Sequence, residues 1–198
     1  MTRSHLIVDI EASTLDNGYP IEIAIAELEN ETLRAWLIKP AAAWRDREWS
    51  PASQKIHGLT RDIVEAGDEV RIVANDIDAF TDGRVLMSDN CSFDGHWLAQ
   101  IFEASGVAKS CPRMRAKNLG EIAGELCARF GRSRADIEAV ERMRKAAADH
   151  SAAGDAASWA ATIEIVAGVE AIDPARTDDV FGKWILRATA AAPWRGER

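Results

Sequence analysis

Two carboxylates set two residues apart break an otherwise apolar run near the amino terminus, Leu6-Ile7-Val8-Asp9-Ile10-Glu11. In a strand, alternate side chains share a face, so Asp9 and Glu11 point the same way, with Cα atoms roughly 6.6 Å apart. Like charges so placed in a low-dielectric setting drive at least one acid toward protonation unless something cationic lies between them. A divalent metal resolves the conflict; the plainer alternative is a strand end whose acids have reached solvent. Two further acids stand where elements begin: Asp94, after a short apolar strand, and Asp155, five residues beyond His150. Five helical steps turn through about 140°, so His150 and Asp155 do not share a helix face. His150 therefore suits a loop or frayed first turn and Asp155 the helix itself, an arrangement fit for a general base beside a fixed acid. Singly, an acid at a helix start is usually a cap or dipole partner, and a lone His is usually a satisfied structural residue. The joint order of Asp-x-Glu, then Asp, then His-x-x-x-x-Asp is what points to a site.

The elements that must position these residues follow from periodicity. After Leu6 to Glu11, an Asp16-Asn17-Gly18 turn leads to Ile21, Ile23 and Ile25 in strand alternation, and Leu33 to Lys39 gives a third strand before Pro40. Short links suggest an antiparallel meander. Ser50-Pro51 caps a short helix toward His57. Val70, Val73, Ile77 and Phe80 mark a helix stopped at Thr81-Asp82-Gly83, and Arg84 to Ser88 reads as a strand adjacent to the first. From Asp94 onward Trp97, Leu98, Ile101 and Phe102 define a helix face ending before Gly106. Further helices are expected over Leu119 to Phe130, Ile137 to Ala147, from near Asp155 to Val166, and around Val180 to Ile185. Strands first and helices after imply a mixed sheet covered by helices, a three-layer α/β arrangement.

The 198 residues fit one α/β domain with a sizeable core. No run of eighteen apolar residues is present, so no membrane span is expected, and the lack of a signal-peptide core suggests a cytoplasmic protein. Three widely spaced cysteines without a Cys-x-x-Cys pair argue against zinc or dithiol chemistry. The net charge of -8 argues against bulk binding of duplex, which requires many cations against phosphates. It leaves room for an enzyme that grips one strand end.

These motifs together resemble the DEDDh family of 3'-5' exonucleases in the ribonuclease H-like superfamily. Val8-Asp9-Ile10-Glu11 and Pro20-Ile21-Glu22-Ile23-Ala24 match the first motif and the strand behind it, and Ile56-His57-Gly58-Leu59-Thr60 the connecting helix-turn. Ser88-Asp89-Asn90-Cys91-Ser92-Phe93-Asp94 matches the second motif, and His150-Ser151-Ala152-Ala153-Gly154-Asp155-Ala156 the third. The resemblance implies a ribonuclease H-like three-layer fold with a mixed five-stranded sheet flanked by helices. It implies an exonuclease domain over residues 1–172, with residues 173–198 a C-terminal helical extension packed on it. By the same resemblance Asp9, Glu11, Asp94 and Asp155 would hold two Mg²⁺ or Mn²⁺ ions, with Asp9 shared, and His150 would act as general base. Ala12, Ser13, Leu15, Asn90 and Phe93 would contact the substrate, a 3' end of single-stranded RNA or DNA. No membrane partner is implied, and a homodimer, known for some relatives, is left open.

The chain departs from the family pattern in two places. Ala12-Ser13-Thr14-Leu15 replaces the usual small Thr-Thr-Gly run, and Ser88-Asp89-Asn90 replaces a commoner Ala-His-Asn, adding an acid read here as an exposed turn residue. Trp44 and Trp49 are either base-stacking platforms or pins for a long loop, the latter being favoured. Arg113, Arg115 and Lys117, like Arg142, Arg144 and Lys145, are basic clusters that guide phosphates or simply face solvent. His5, His57 and His96 carry no assigned chemistry. Two other classes compete: a catalytically silent binding or regulatory module of the same fold, and a Cys-His hydrolase using Cys91 and His150.

Overall fold

The computed structural model describes residues 6–107, 111–168 and 172–196; His5 lies outside them. Among the described residues five strands form one mixed sheet. β1 (Leu6–Ala12), β2 (Pro20–Glu27) and β3 (Thr32–Lys39) make the expected antiparallel meander, and β5 (Leu86–Met87) adds to β1 in parallel. The far edge is β4 (Asp68–Glu69), parallel to β3, giving the order β4-β3-β2-β1-β5. β4 and a helix at Arg61–Glu65 are too short to show a period, so neither is visible in the sequence.

Helices cover both faces. One core gathers Leu6, Val8, Ile10, Ile21, Ile23 and Ile25 beneath α3 (Val70–Thr81) and α4 (Cys91–Ser105). Numbering α1 (Pro51–His57) and α2 (Arg61–Glu65) before these, the chain continues with α5 (Leu119–Arg129), α6 (Arg134–Ala147), α7 (Ala152–Ala167) and α8 (Pro174–Ala191). These last four pack around the second core, on the face of Ile7, Ala24 and Ala26. The alternation along β1 is the device that matters: its even residues serve the first core, so Ile7, Asp9 and Glu11 face α7.

α7 is apolar on nearly every side, as befits a helix buried between layers. Its alanines at 152, 153, 156, 157, 160 and 161 meet the alanines of β2, and side chains this small let the helix lie close on β1 and β2. The helix begins at Ala152, three residues before the expected start, because Ser151 caps it by accepting from the Gly154 amide at 2.9 Å. α4 likewise begins at Cys91 with Asn90 as cap, so Asp94 lies inside its first turn rather than at its start. Both caps act through side chains, which an apolar period does not report.

α8 belongs to the second core through Val180, Phe181 and the fully buried Trp184. Trp184 donates to Glu164 at 2.8 Å, and Lys183 bridges Glu164 and Glu31 at 2.7 and 3.0 Å. Replacing Trp184 by Ala removes a large buried side chain and is expected to cost about 3–5 kcal/mol. Urea unfolding followed by far-UV circular dichroism should show one transition at a lower midpoint. Two separated transitions would mean that residues 173–198 fold apart from the rest.

Candidate metal and nucleic-acid site

The acids converge for topological reasons. β1 and β5 run parallel, so their carboxyl ends lie at one edge of the sheet, and the chain leaving β5 turns directly into α4. Along β1, β5 pairs with Leu6 and Ile7, and its pairing stops short of the later half of that strand. The first turn of α4 enters there, where Asp94 receives backbone hydrogen bonding from Ile10. α7 approaches the other face with its amino terminus at the same edge, bringing Asp155 beside Glu11.

Carboxylate oxygens of Asp9, Glu11 and Asp155 lie within 4.8 Å of one another, as do those of Asp9, Asp89 and Asp94. Asp9 belongs to both groups. Burial is the main electrostatic penalty at Asp9, Glu11, Asp94 and Asp155. It raises Asp9 well above the carboxylate range, with Asp94, Glu11, Asp155 and Asp89 adding repulsion. Glu11 is pushed up to about 8 by burial, then by Asp155 and Glu22, with Arg195 opposing. Asp94 rises to about 7 by burial despite accepting from the Ser88 hydroxyl, and Asp155 to about 6 by burial, partly relieved by His150. Asp155 Oδ1 is buried with no hydrogen-bond partner among the described residues. Asp94 and Asp155 lie in the first turns of α4 and α7, where a helix amino terminus favours negative charge. An all-oxygen donor set with an orphaned, buried carboxylate oxygen fits a hard divalent cation.

The loop ahead of α7 is tightly organised. Asp149 Oδ1 accepts from the Ser151 amide at 3.1 Å and the Ser151 hydroxyl at 2.5 Å. A Cβ on Gly154 would meet that same oxygen at 2.2 Å, which accounts for the glycine of the third motif. His150 is exposed on this loop with φ 55°, a left-handed backbone more often found at constrained functional positions.

The other sequence-based site residues divide by exposure. Leu15 and Phe93 are 69% and 43% exposed, unusual for large apolar side chains. Ser13 is fully buried: its hydroxyl donates to the Glu48 carbonyl at 2.7 Å and accepts from the Tyr19 amide at 3.0 Å. Its backbone is also engaged, with Tyr19 and Ser50. It therefore clamps the loop after β1, and Ala12 is buried beside it. The Asn90 side chain accepts from Phe93 N as the cap of α4. Trp44 is buried and stacked on Tyr19, and Trp49 donates to Gln54 beneath Arg61, so both pin the loop. Arg144 lies over Trp159 and Lys117 pairs with Glu125, leaving those basic runs partly spent on packing.

Three participants escaped the sequence reading. Asp89, read as a turn residue, presents its carboxylate to Asp9 and Asp94. Ser88 carries a relay, its hydroxyl donating to Asp94 and accepting from the Asn90 amide at 2.8 Å. Glu22, cross-strand from Glu11, is completely buried and bound to the carboxyl-terminal turn. For Asp89 the acid beside the second motif was the available signal; for Glu22 it was a charge inside an isoleucine strand.

The RNase T exonuclease family model matches residues 6–163. A search of curated proteins finds no match. Among solved structures, E. coli exonuclease I in complex with a 5cy-dA13 oligonucleotide aligns with a TM-score of 0.59 at 16% identity, covering 82% of this chain and 40% of that one. The nuclease domain of 3'hExo, a DEDDh family member bound to rAMP, aligns at 0.57 and 15% identity, covering 87% and 96%. Cell-death related nuclease 4 aligns at 0.56 and 16% identity, covering 82% and 62%. These likenesses are of fold, the three-layer ribonuclease H-like arrangement expected from the sequence. The chain spans about two fifths of the length of exonuclease I.

The raised acids set a pH dependence. A carboxyl whose folded value lies above its unfolded one stabilises the fold below the unfolded value, and that stability is lost as pH rises through the folded value. For Glu11 the loss runs from about 4.5 to about 8. In chelator-treated protein, Glu11→Gln should melt several degrees above wild type at pH 8 and close to it at pH 5. A lower melting temperature for Glu11→Gln at pH 8 would contradict this electrostatic picture.

Proposed function

The chain belongs to the RNase T exonuclease family, and on that premise we propose that it hydrolyses phosphodiester bonds at the 3' end of single-stranded nucleic acid or short oligonucleotides, releasing nucleoside 5'-monophosphates. The observation that carries this reading is the convergence of Asp9, Glu11, Asp94 and Asp155 on one strand end, with Asp155 Oδ1 buried and unpartnered among the described residues. These four acids would hold two Mg²⁺ or Mn²⁺ ions, Asp9 being shared between them. When bound, such a pair supplies Lewis-acid stabilisation of the attacking and leaving oxygens of an in-line displacement.

The chain's own residues supply the rest. His150, exposed on a loop held by Asp149 and Ser151, takes the proton from the attacking water, and it partly offsets the burial that raises the neighbouring Asp155. Leu15 and Phe93 offer exposed apolar surface to the terminal bases, Leu15 as a wedge. Oligonucleotide in the exonuclease I complex and rAMP on 3'hExo support a single-stranded substrate and a mononucleotide product. Among the described residues no helix is long and apolar enough to cross a membrane, and three free cysteines support a reducing compartment such as the cytoplasm.

The silent-module alternative fares worse because a crowded, partly protonated acid cluster destabilises the fold without compensation unless it binds something. The Cys-His alternative is disfavoured because the Cys91 thiol is directed to the Ser88 and Lys117 carbonyls, at 3.5 and 3.6 Å.

Mononucleotide release from a labelled single-stranded oligonucleotide tests the proposal. Wild type should require Mg²⁺ or Mn²⁺, lose activity on chelation and keep it on thiol alkylation. Asp9→Ala should fall to background, and His150→Ala should lower kcat by about 10²–10⁴-fold. Full activity in Asp9→Ala would overturn the mechanism.

A further inference from the structure

The family match ends at residue 163, yet the most heavily bonded carboxylate near the site is held from far beyond it. After α8 the chain makes a single 3-10 turn, Pro193–Arg195, that returns to the sheet beside the acids. There Trp194 Nε1 donates to Glu22 Oε1 at 2.8 Å, and Arg195 Nε donates to the same oxygen at 2.7 Å. A second Arg195 nitrogen binds Glu22 Oε2, and the third donates to the His57 carbonyl at 2.7 Å. The guanidinium is thus consumed entirely inside the protein, and both charged side chains are buried.

Glu22 has one more partner. Its Oε2 accepts from the amide of Ala152 at 2.9 Å, across 130 residues. Ala152 is the first residue of α7, two after His150 and three before Asp155. Glu22 also faces Glu11 across the β1/β2 ladder. One carboxylate therefore joins three things: the strand end bearing Glu11, the start of the helix bearing Asp155 and the His150 loop, and the carboxyl-terminal turn.

Space adjoins this joint. A cleft of about 860 Å³ separates the His150 loop, at Ala147, Asp149 and Ser151, from the turn, at Ala192, Pro193 and Arg195. The loop therefore has open volume beside it, and its His150 backbone sits in the less favoured left-handed region. The Ala152-to-Glu22 bond fixes the loop's carboxyl-terminal end, and Glu22 is itself oriented by Arg195 and Trp194.

We propose that Arg195 is a positioning residue for the exonuclease reaction: by orienting Glu22 it fixes the first turn of α7, and so His150 and Asp155, against the strand end carrying Glu11. The inference rests on the exonuclease reading above. Arg195 reaches no reacting atom. Its charge lowers the pKa of Glu11, an effect that Lys in its place retains; its further effect is geometric, and a misplacement of about 1 Å in a catalytic group is enough to cost about 10²-fold in rate. Lys in its place keeps the charge but cannot make the two-point contact with Glu22 together with the bond to His57, so it restores only part of the function.

The test compares full-length wild type, Arg195→Gln and Arg195→Lys at a temperature where circular dichroism shows each folded. Steady-state cleavage of a labelled oligonucleotide and hydrogen exchange of the Ala152 amide by NMR are measured on the same preparations. Arg195→Gln should lower kcat by about 10–100-fold with less than about a threefold change in KM, and should speed Ala152 exchange. Arg195→Lys should fall between it and wild type in both readouts. Should Arg195→Gln not fold, the Lys variant alone carries the comparison. Wild-type kcat and wild-type Ala152 exchange in a folded variant would overturn the proposal, as would a lowered melting temperature with kcat untouched. Absence of exonuclease activity in wild type would instead overturn the functional reading, and it leaves the exchange measurement to report on the joint by itself.

Discussion

The structure depends on a repulsion it does not fully relieve. Asp9 and Glu11 share one face of a buried strand, and the fold brings Asp94, Asp155 and Asp89 to the same place. Every one of the four motif acids is pushed upward mainly by burial. Two helix amino termini, the Ser88 hydroxyl and the Ile10 backbone soften the conflict without cancelling it. The contrast with Glu22 is instructive. That carboxylate, only one strand away, is given a guanidinium, an indole N–H and a backbone amide. The chain thus has the means to neutralise an acid in this neighbourhood, and among the described residues no guanidinium or indole N–H is bonded to the four motif acids. Their deficit of positive charge is the physical basis for a cation site.

The packing that creates this deficit is built from small residues. Alanines on α7 and β2 let a helix lie close on the sheet, and the pairing of a two-residue β5 stops short of the end of β1, where α4 enters. Lengthening β5 or enlarging those alanines would move Asp94 or Asp155 away from Asp9. The carboxyl-terminal turn then closes the arrangement from behind. A buried ion pair such as Glu22 with Arg195 contributes little net stability against an apolar substitute, but losing one partner costs about 3–5 kcal/mol. Its value is in fixing one geometry.

Much of this was legible in the sequence because it rests on periodicity and motif order. The isoleucine alternation at 21, 23 and 25 marked β2, the Val70 to Phe80 spacing marked α3, and the Asp-x-Glu pair marked the strand end. The starts of α4 and α7 were displaced because Asn90 and Ser151 cap them through side chains, which an apolar period does not report. The resemblance makes Ser13 a substrate contact, whereas its buried hydroxyl, satisfied at both ends, is visible only once Tyr19 and Glu48 are placed beside it. Asp89 and Arg195 were hidden for the same reason. Their importance comes from neighbours 80 and 173 residues away, at Asp9 and Glu22, and no local pattern reports such distances.

The most direct test of the central claim is anomalous scattering from crystals soaked in Mn²⁺. Two peaks are expected, one touching Asp9, Glu11 and Asp155 and the other touching Asp9 and Asp94. Manganese bound only elsewhere, with the four acids empty at a concentration that supports cleavage, would contradict the account.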